Sequence, residues 1–175
     1  GQPIRDDGPQ THLQKSGTPT MGGILILLGV FCGSLLWTDL NNRFVWVVLF
    51  VMAGFAAVGA VDDYDKLTAG SSKGMSAKLK YCCLSAIGLI AILTLYIMAT
   101  SANETRLFIP FFKHISFNLG GYFIILSYFV IVGASNAVNL TDGLDGLAIL
   151  PCILIAGALG VFAYVIGNYN IANYL

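Results

Sequence analysis

Between Asn136 and Gly146 the chain gathers the side chains best suited to chemistry: Asn136, Asn139, Asp142 and Asp145, with Asp-Gly steps at 142–143 and 145–146. On one continuous helix these four would spiral through half the circumference, at about 100° per residue, and would share no face. The two Asp-Gly steps predict a break instead, because glycine accepts the turn conformations that end helices. The asparagines then close one helix, while Asp142 and Asp145 line the turn and cap the next. Free N–H groups at a helix start suit a phosphate, and carbonyls at a helix end suit a cation. A plain polar loop between two spans is the competing reading. Four amides and carboxylates beside a membrane are costly, however, and such groups tend to mark function.

A second cluster holds Asp62, Asp63, Asp65 and Lys66. The hydropathy closes a span here, which puts adjacent carboxylates at the negative end of a helix dipole, where they destabilise one another. A cation must offset them: Lys66, a metal ion, or both. Magnesium fits, since it takes one or two carboxylates and keeps its other positions for water and phosphate oxygens. Asp63 and Asp142 are the candidate ligands. An acidic cap on a membrane helix is the alternative for the pair alone. Lys73, Lys78 and Lys80 follow; they anchor the chain at the membrane or, at 78 and 80, hold a lipid phosphate at headgroup level. Two acidic clusters with lysines suggest a metal-bridged diphosphate attacked by a membrane-held phosphate.

The elements that must position these groups are membrane spans. Of 175 residues, 57% are hydrophobic and 10% charged, and the mean hydropathy is +0.79. Soluble domains carry about 25% charged residues, so this chain cannot cover a water-facing surface in the usual way. Apolar runs at 21–37, 44–61, 81–99, 119–138 and 147–166 contain no Asp, Glu, Lys or Arg. Each is long enough to cross a bilayer as a helix, predicting a single all-α, polytopic membrane domain of five spans over 1–175. Five spans put Arg5, Lys15, Lys66, Lys73, Lys78 and Lys80 on one face, and Arg43, Arg106 and Lys113 on the other. The positive-inside rule makes the first face cytoplasmic. All the aspartates except Asp39 lie there too, so both signs of charge gather on one side.

A formal net charge of zero excludes a global field that would attract nucleic acid. The cysteines, Cys32, Cys82, Cys83 and Cys152, lie in apolar stretches without Cys-x-x-Cys spacing and read as small apolar residues. The aromatic, β-prone stretch around 106–119 predicts a short external hairpin on the membrane surface, with His114 given no chemical role. Neither an initiator Met nor a signal pattern opens the chain at Gly1, and it stops at Leu175 just after a span, which reads as a fragment of a larger protein.

Taken in order, Arg5-Asp-Asp-Gly-Pro, His12, Lys15-Ser-Gly-Thr-Pro-Thr-Met-Gly-Gly23, Val61-Asp-Asp-Tyr64 and Asn136-Ala-Val-Asn-Leu-Thr-Asp-Gly-Leu-Asp-Gly-Leu147 resemble the phospho-N-acetylmuramoyl-pentapeptide transferases. These are a branch of the polyprenyl-phosphate N-acetylhexosamine-1-phosphate transferase superfamily. The acidic motifs are shared across the superfamily, and Gly17-Thr-Pro-Thr-Met-Gly-Gly23 points to that branch. The resemblance implies a bacterial inner-membrane enzyme with a cytoplasmic active site. It would move phospho-MurNAc-pentapeptide from UDP-MurNAc-pentapeptide onto undecaprenyl phosphate, giving lipid I and UMP with the help of Mg2+, in peptidoglycan synthesis.

By the same resemblance, Asp62 and Asp63 look like the family's catalytic aspartate pair, with Asp62 as the base toward the lipid phosphate, in a mechanism of one step or through a covalent intermediate. Asn136, Asn139, Asp142 and Asp145 look like substrate contacts on the nucleotide side, Lys15 and Thr20 like positions lining the cleft, and Lys66 and Lys78 like phosphate-handling lysines. A further metal-binding aspartate and a histidine-rich loop of the family would lie beyond Leu175. The fragment by itself is therefore expected to be inactive. A second copy of the chain is a candidate partner. Two readings compete: another transferase acting on a UDP-N-acetylhexosamine without the peptide, and a transporter. Transporter sites lie near the bilayer midplane, whereas the acids here lie at the span ends.

Overall fold

The computed structural model describes residues 22–69, 74–109, 112, 115–142 and 147–167. Among them the architecture is helical with one small hairpin. Helices α1 (Gly23–Trp37), α2 (Arg43–Ala69) and α3 (Ala77–Ile97) lead to a 3-10 turn at Ala102–Thr105. Strands β1 (Arg106–Phe108) and β2 (Ser116–Asn118) follow, then α4 (Tyr122–Tyr128), a π-helical turn at Phe129–Gly133, α5 (Ala134–Thr141) and α6 (Ile149–Gly167). The chain divides into two compact units, Gly1–Val132 and Gly133–Leu175.

Among the described residues, four helical segments are long and apolar enough to cross a bilayer: Arg43–Ala69, Ala77–Ile97, Tyr122–Thr141 and Ile149–Gly167. The fifth expected span, α1, has 15 residues. At about 1.5 Å per residue it covers about 22 Å, short of a hydrocarbon core of about 30 Å. The side-chain distribution is that of a lipid-facing protein. No residue of α6 is buried, and Leu154, Phe162 and Tyr164 stand exposed along it. Such a surface is untenable in water and ordinary in lipid. Pro151 is tolerated as the third residue of α6, where its missing N–H would have had no intrahelical partner.

In the first unit α3 packs against both α2 and α4. Leu49 and Val58 of α2 and Leu84, Ala91 and Ile92 of α3 are buried, and Ile92 is fully enclosed. Gly54 permits the close approach: a Cβ there would fall 2.9 Å from Ile87 Cγ2. Across the α3–α4 contact, Tyr128 bonds the Tyr81 hydroxyl at 2.7 Å and the Ser85 hydroxyl at 2.9 Å, so these hydroxyls satisfy one another beside lipid. Between α1 and α2 lies an apolar cavity of about 410 Å³, lined by Ile24, Leu27, Phe31, Ala53, Ala56 and Ala60 among others.

Polar clasps pin both ends of the α2–α3 pair. At the α2 start, Arg43 bonds the Met98 carbonyl and pairs with Glu104 at 2.6 Å. The hydrogen bond from the Thr100 hydroxyl, with lesser help from the Thr100 backbone N–H and from Arg43, holds the Glu104 carboxyl below its usual range against the opposing effect of burial. The other clasp is at Asp62. Nineteen residues separate Arg43 from Asp62, about 28 Å along a helix, close to one hydrocarbon thickness. The two clasps therefore sit at opposite membrane edges. The expected hairpin is present on the Arg43 side of this pair, with Arg106 opposite Asn118, Leu107 opposite Phe117 and Phe108 opposite Ser116.

Candidate active site

Helix α2 does not end where its apolar run ends. It continues through Asp62 to Ala69, because residues 62–69 hold no glycine or proline and their charges are spaced to support a helix. Lys66 pairs with Asp62 at 2.8 Å (i,i+4) and with Asp63 at 3.0 Å (i,i+3). An acid placed N-terminal to its lysine is the favourable order. The expectation of carboxylates at a helix C-terminus is thus corrected. Asp62 lies about two turns inside the helix, and the dipole acts chiefly on the last turn.

What offsets Asp62 is a cage of donors. The residue is 6% exposed, the buried polar residue among those described. Its Oδ1 accepts the Met75 backbone N–H at 2.9 Å, and its Oδ2 accepts Lys80 Nζ at 3.1 Å as well as pairing with Lys66. Lys66 answers the sequence's demand for a cation, and Lys80 is a second one from the start of α3. Glycine at 74 allows this approach. A Cβ there would fall 2.7 Å from the Asp62 carbonyl oxygen and 2.9 Å from Lys66 Cε, and closer still to the Asp62 carboxylate. Ser76 then caps α3, accepting the Leu79 N–H at 3.4 Å.

The remaining groups of this cluster are open to solvent. The Asp63 side chain is 46% exposed and uses Oδ1 for Lys66, which leaves Oδ2 free among the described residues. Lys78 is exposed in the first turn of α3 and meets no partner among the described residues. Sequence reasoning gave Lys80 only a general anchoring or phosphate-holding role, and missed Gly74 and the Met75 N–H. The signal for Lys80 was its place just before an apolar run on the face that carries Asp62. No local spacing rule links residues eighteen apart across a loop.

In the second unit, α5 ends as the Asp-Gly steps predicted. Asp142 terminates it with φ −77° and ψ 27°, its N–H donating to the Val138 carbonyl at 3.0 Å. Asn139 and Asp142 are exposed and Asn136 is partly buried. Helix α6 begins only at Ile149, so Asp142 closes α5 and does not cap the following helix. Lys15, Thr20 and Asp145 lie outside the described residues, as do Lys73 and His114.

Among the described residues no group of three or more His, Cys, Asp or Glu side chains converges as a ready-made metal cage. Magnesium needs only one or two carboxylates, with water and phosphate oxygens in its other positions. Asp63, with an unused oxygen and solvent access, has the chemistry of one such ligand.

Sequence comparison assigns the family. Phospho-N-acetylmuramoyl-pentapeptide-transferase signature 1 matches residues 15–27. The glycosyl transferase family 4 profile matches residues 45–175, well over half of the chain and both acidic segments. With that match laid over a buried aspartate caged by lysines at a membrane edge, the chain belongs to glycosyl transferase family 4.

Proposed function

We propose that this membrane protein transfers phospho-MurNAc-pentapeptide from UDP-MurNAc-pentapeptide to undecaprenyl phosphate, forming lipid I and UMP, and that the Asp62 cluster handles the phosphates. The match to the transferase signature at residues 15–27 carries the reaction. The lysine cage at the end of a spanning stretch supports the site. In the reaction, an oxygen of the lipid phosphate attacks the phosphorus that bears the sugar. One phosphoanhydride bond forms, another breaks, and UMP leaves with the electron pair. Chemistry of this kind depends mainly on positioning and on neutralising charge.

The chain's residues take these roles in the proposal. Lys66 and Lys78 meet phosphate oxygens as charged donors. Lys15 and Thr20 line the approach. Asn136, Asn139, Asp142 and Asp145 contact the nucleotide. Asp63 and Asp142 would hold Mg2+, which when bound neutralises diphosphate oxygens. Asp62 is assigned first to holding its lysines in place. To act as the base toward the lipid phosphate, it must first exchange one of its three donors. A phosphate monoester, with a second pKa of about 6, arrives mostly deprotonated at neutral pH in any case. The active face is assigned to the cytoplasmic side because Lys66, Lys73, Lys78 and Lys80 outnumber Arg43, Arg106 and Lys113 on the opposite face, and the resemblance to the transferases supports a bacterial inner membrane.

Supplying purified native protein with undecaprenyl phosphate and either UDP-MurNAc-pentapeptide or UDP-N-acetylglucosamine tests the reading. UMP release and a lipid-linked product with the first donor alone are expected. Product from the second donor alone would assign the chain to the peptide-independent branch of the superfamily.

A further inference from the structure

Asp62 is paired with two ammonium groups where one would neutralise it. Lys66 and Lys80 both reach Oδ2, at 2.8 and 3.1 Å, while the Met75 N–H occupies Oδ1. The two lysines differ in what else they hold. Lys66 also binds Asp63, whose side chain is 46% exposed; Lys80 pairs, among the described residues, with Asp62 alone. If Lys66 moves away, water can solvate Asp63, and Asp62 keeps one ammonium and one backbone N–H. If Lys80 is absent, Lys66 must stay, because a buried carboxylate stripped of its countercharge is strongly unfavourable. An arriving phosphate can recruit Lys66 only while another cation holds Asp62.

We propose that Lys80 is a positioning residue for the transfer reaction. It is the permanent countercharge of Asp62, and its presence frees Lys66 to bind a substrate phosphate. The inference rests on the reading that this cluster handles phosphates. The phosphate belongs either to the UDP-sugar or to the polyprenyl acceptor, and the kinetic constants separate the two.

The test is steady-state kinetics and thermal unfolding of the full-length protein, for wild type, Lys66→Met, Lys80→Met, Lys80→Arg and the Lys66→Met/Lys80→Met double variant. Both single Met variants should raise the KM of the same substrate by about tenfold or more, the scale of one lost charge-assisted hydrogen bond. That substrate identifies the phosphate. The double variant should fall within about twofold of Lys66→Met, because Lys80 acts through Lys66 and the two losses do not add. Lys80→Arg should restore the KM to within about threefold, since it keeps the charge. If Lys80→Met does not accumulate in membranes, Lys80→Gln carries the same cycle. A lowered melting temperature with wild-type KM values would overturn the proposal, as would additive losses or effects on different substrates. A wild-type protein that releases no UMP would remove the functional reading itself, and the proposal with it.

Discussion

A single buried carboxylate organises this region. Asp62 accepts two ammonium groups and a backbone N–H. Asp62→Asn keeps size and hydrogen bonding but removes the charge. Lys80 then faces a neutral amide, and Lys66 is left to Asp63. Turnover should fall by about 100-fold or more, on the scale of losing a catalytic acid–base or charge-positioning group. Near-normal turnover would reduce Asp62 to a structural ion-pair partner of Lys66 and Lys80. Gly74 gives a sharper packing test. Gly74→Ala places a methyl group against the Asp62 carboxylate and carbonyl and must push the loop away, whereas a Cβ at Gly59 meets nothing within 4 Å. Thermal unfolding should show Gly74→Ala destabilised. Gly59→Ala, in a helix interior, should be neutral or stabilised by about 0.5–1 kcal/mol. At the opposite membrane edge, Glu104 is held below its usual range, first by Thr100 and then by Arg43. Its stabilising contribution is present at neutral pH and fades as pH falls through that lowered value. The melting difference between wild type and Glu104→Gln should therefore persist at pH 7 and disappear in acid, with no difference at any pH contradicting the assignment.

At the scale of elements, α2 and α3 form a pair pinned at both ends and closely packed in between. Gly54 lies against Ile87. Gly54→Val should lower stability by about 1–3 kcal/mol, as overpacking does, with KM values near wild type because Asp62 is about two turns away. An unchanged melting temperature would mean that the pair is held by its end clasps alone. Much of this organisation was legible in the sequence. Apolar runs marked the four long spans and overcounted by α1, an aromatic, β-prone stretch marked the hairpin, and the Asp-Gly steps marked the end of α5. What stayed hidden has physical reasons. Hydropathy locates the membrane edge near Val61 but not the helix end, which charge spacing carries on to Ala69. Lys80 reaches Asp62 through tertiary packing. The π-helical turn at Phe129–Gly133 changes the backbone register within an apolar run, and composition leaves no trace of it.

For the whole molecule, the two clasps define two membrane faces, and the family assignment gives one of them a reaction. After removal of Cys32, Cys82, Cys83 and Cys152, a cysteine introduced at Asn41 or Asn103 should react with an impermeant thiol reagent in intact cells. One beside Asp62 or Asp142 should be protected until the membrane is opened. Labelling beside Asp62 from outside would reverse the topology. The role proposed for Asp62 at this membrane edge is in the formation of lipid I. Its most direct test is to follow undecaprenyl-linked product and UMP together, from UDP-MurNAc-pentapeptide, in full-length wild type and in a folded Asp62→Asn variant. Wild type should release the two products in equal amounts, and the variant should lose about 100-fold or more of both. Equal rates from both proteins would contradict it.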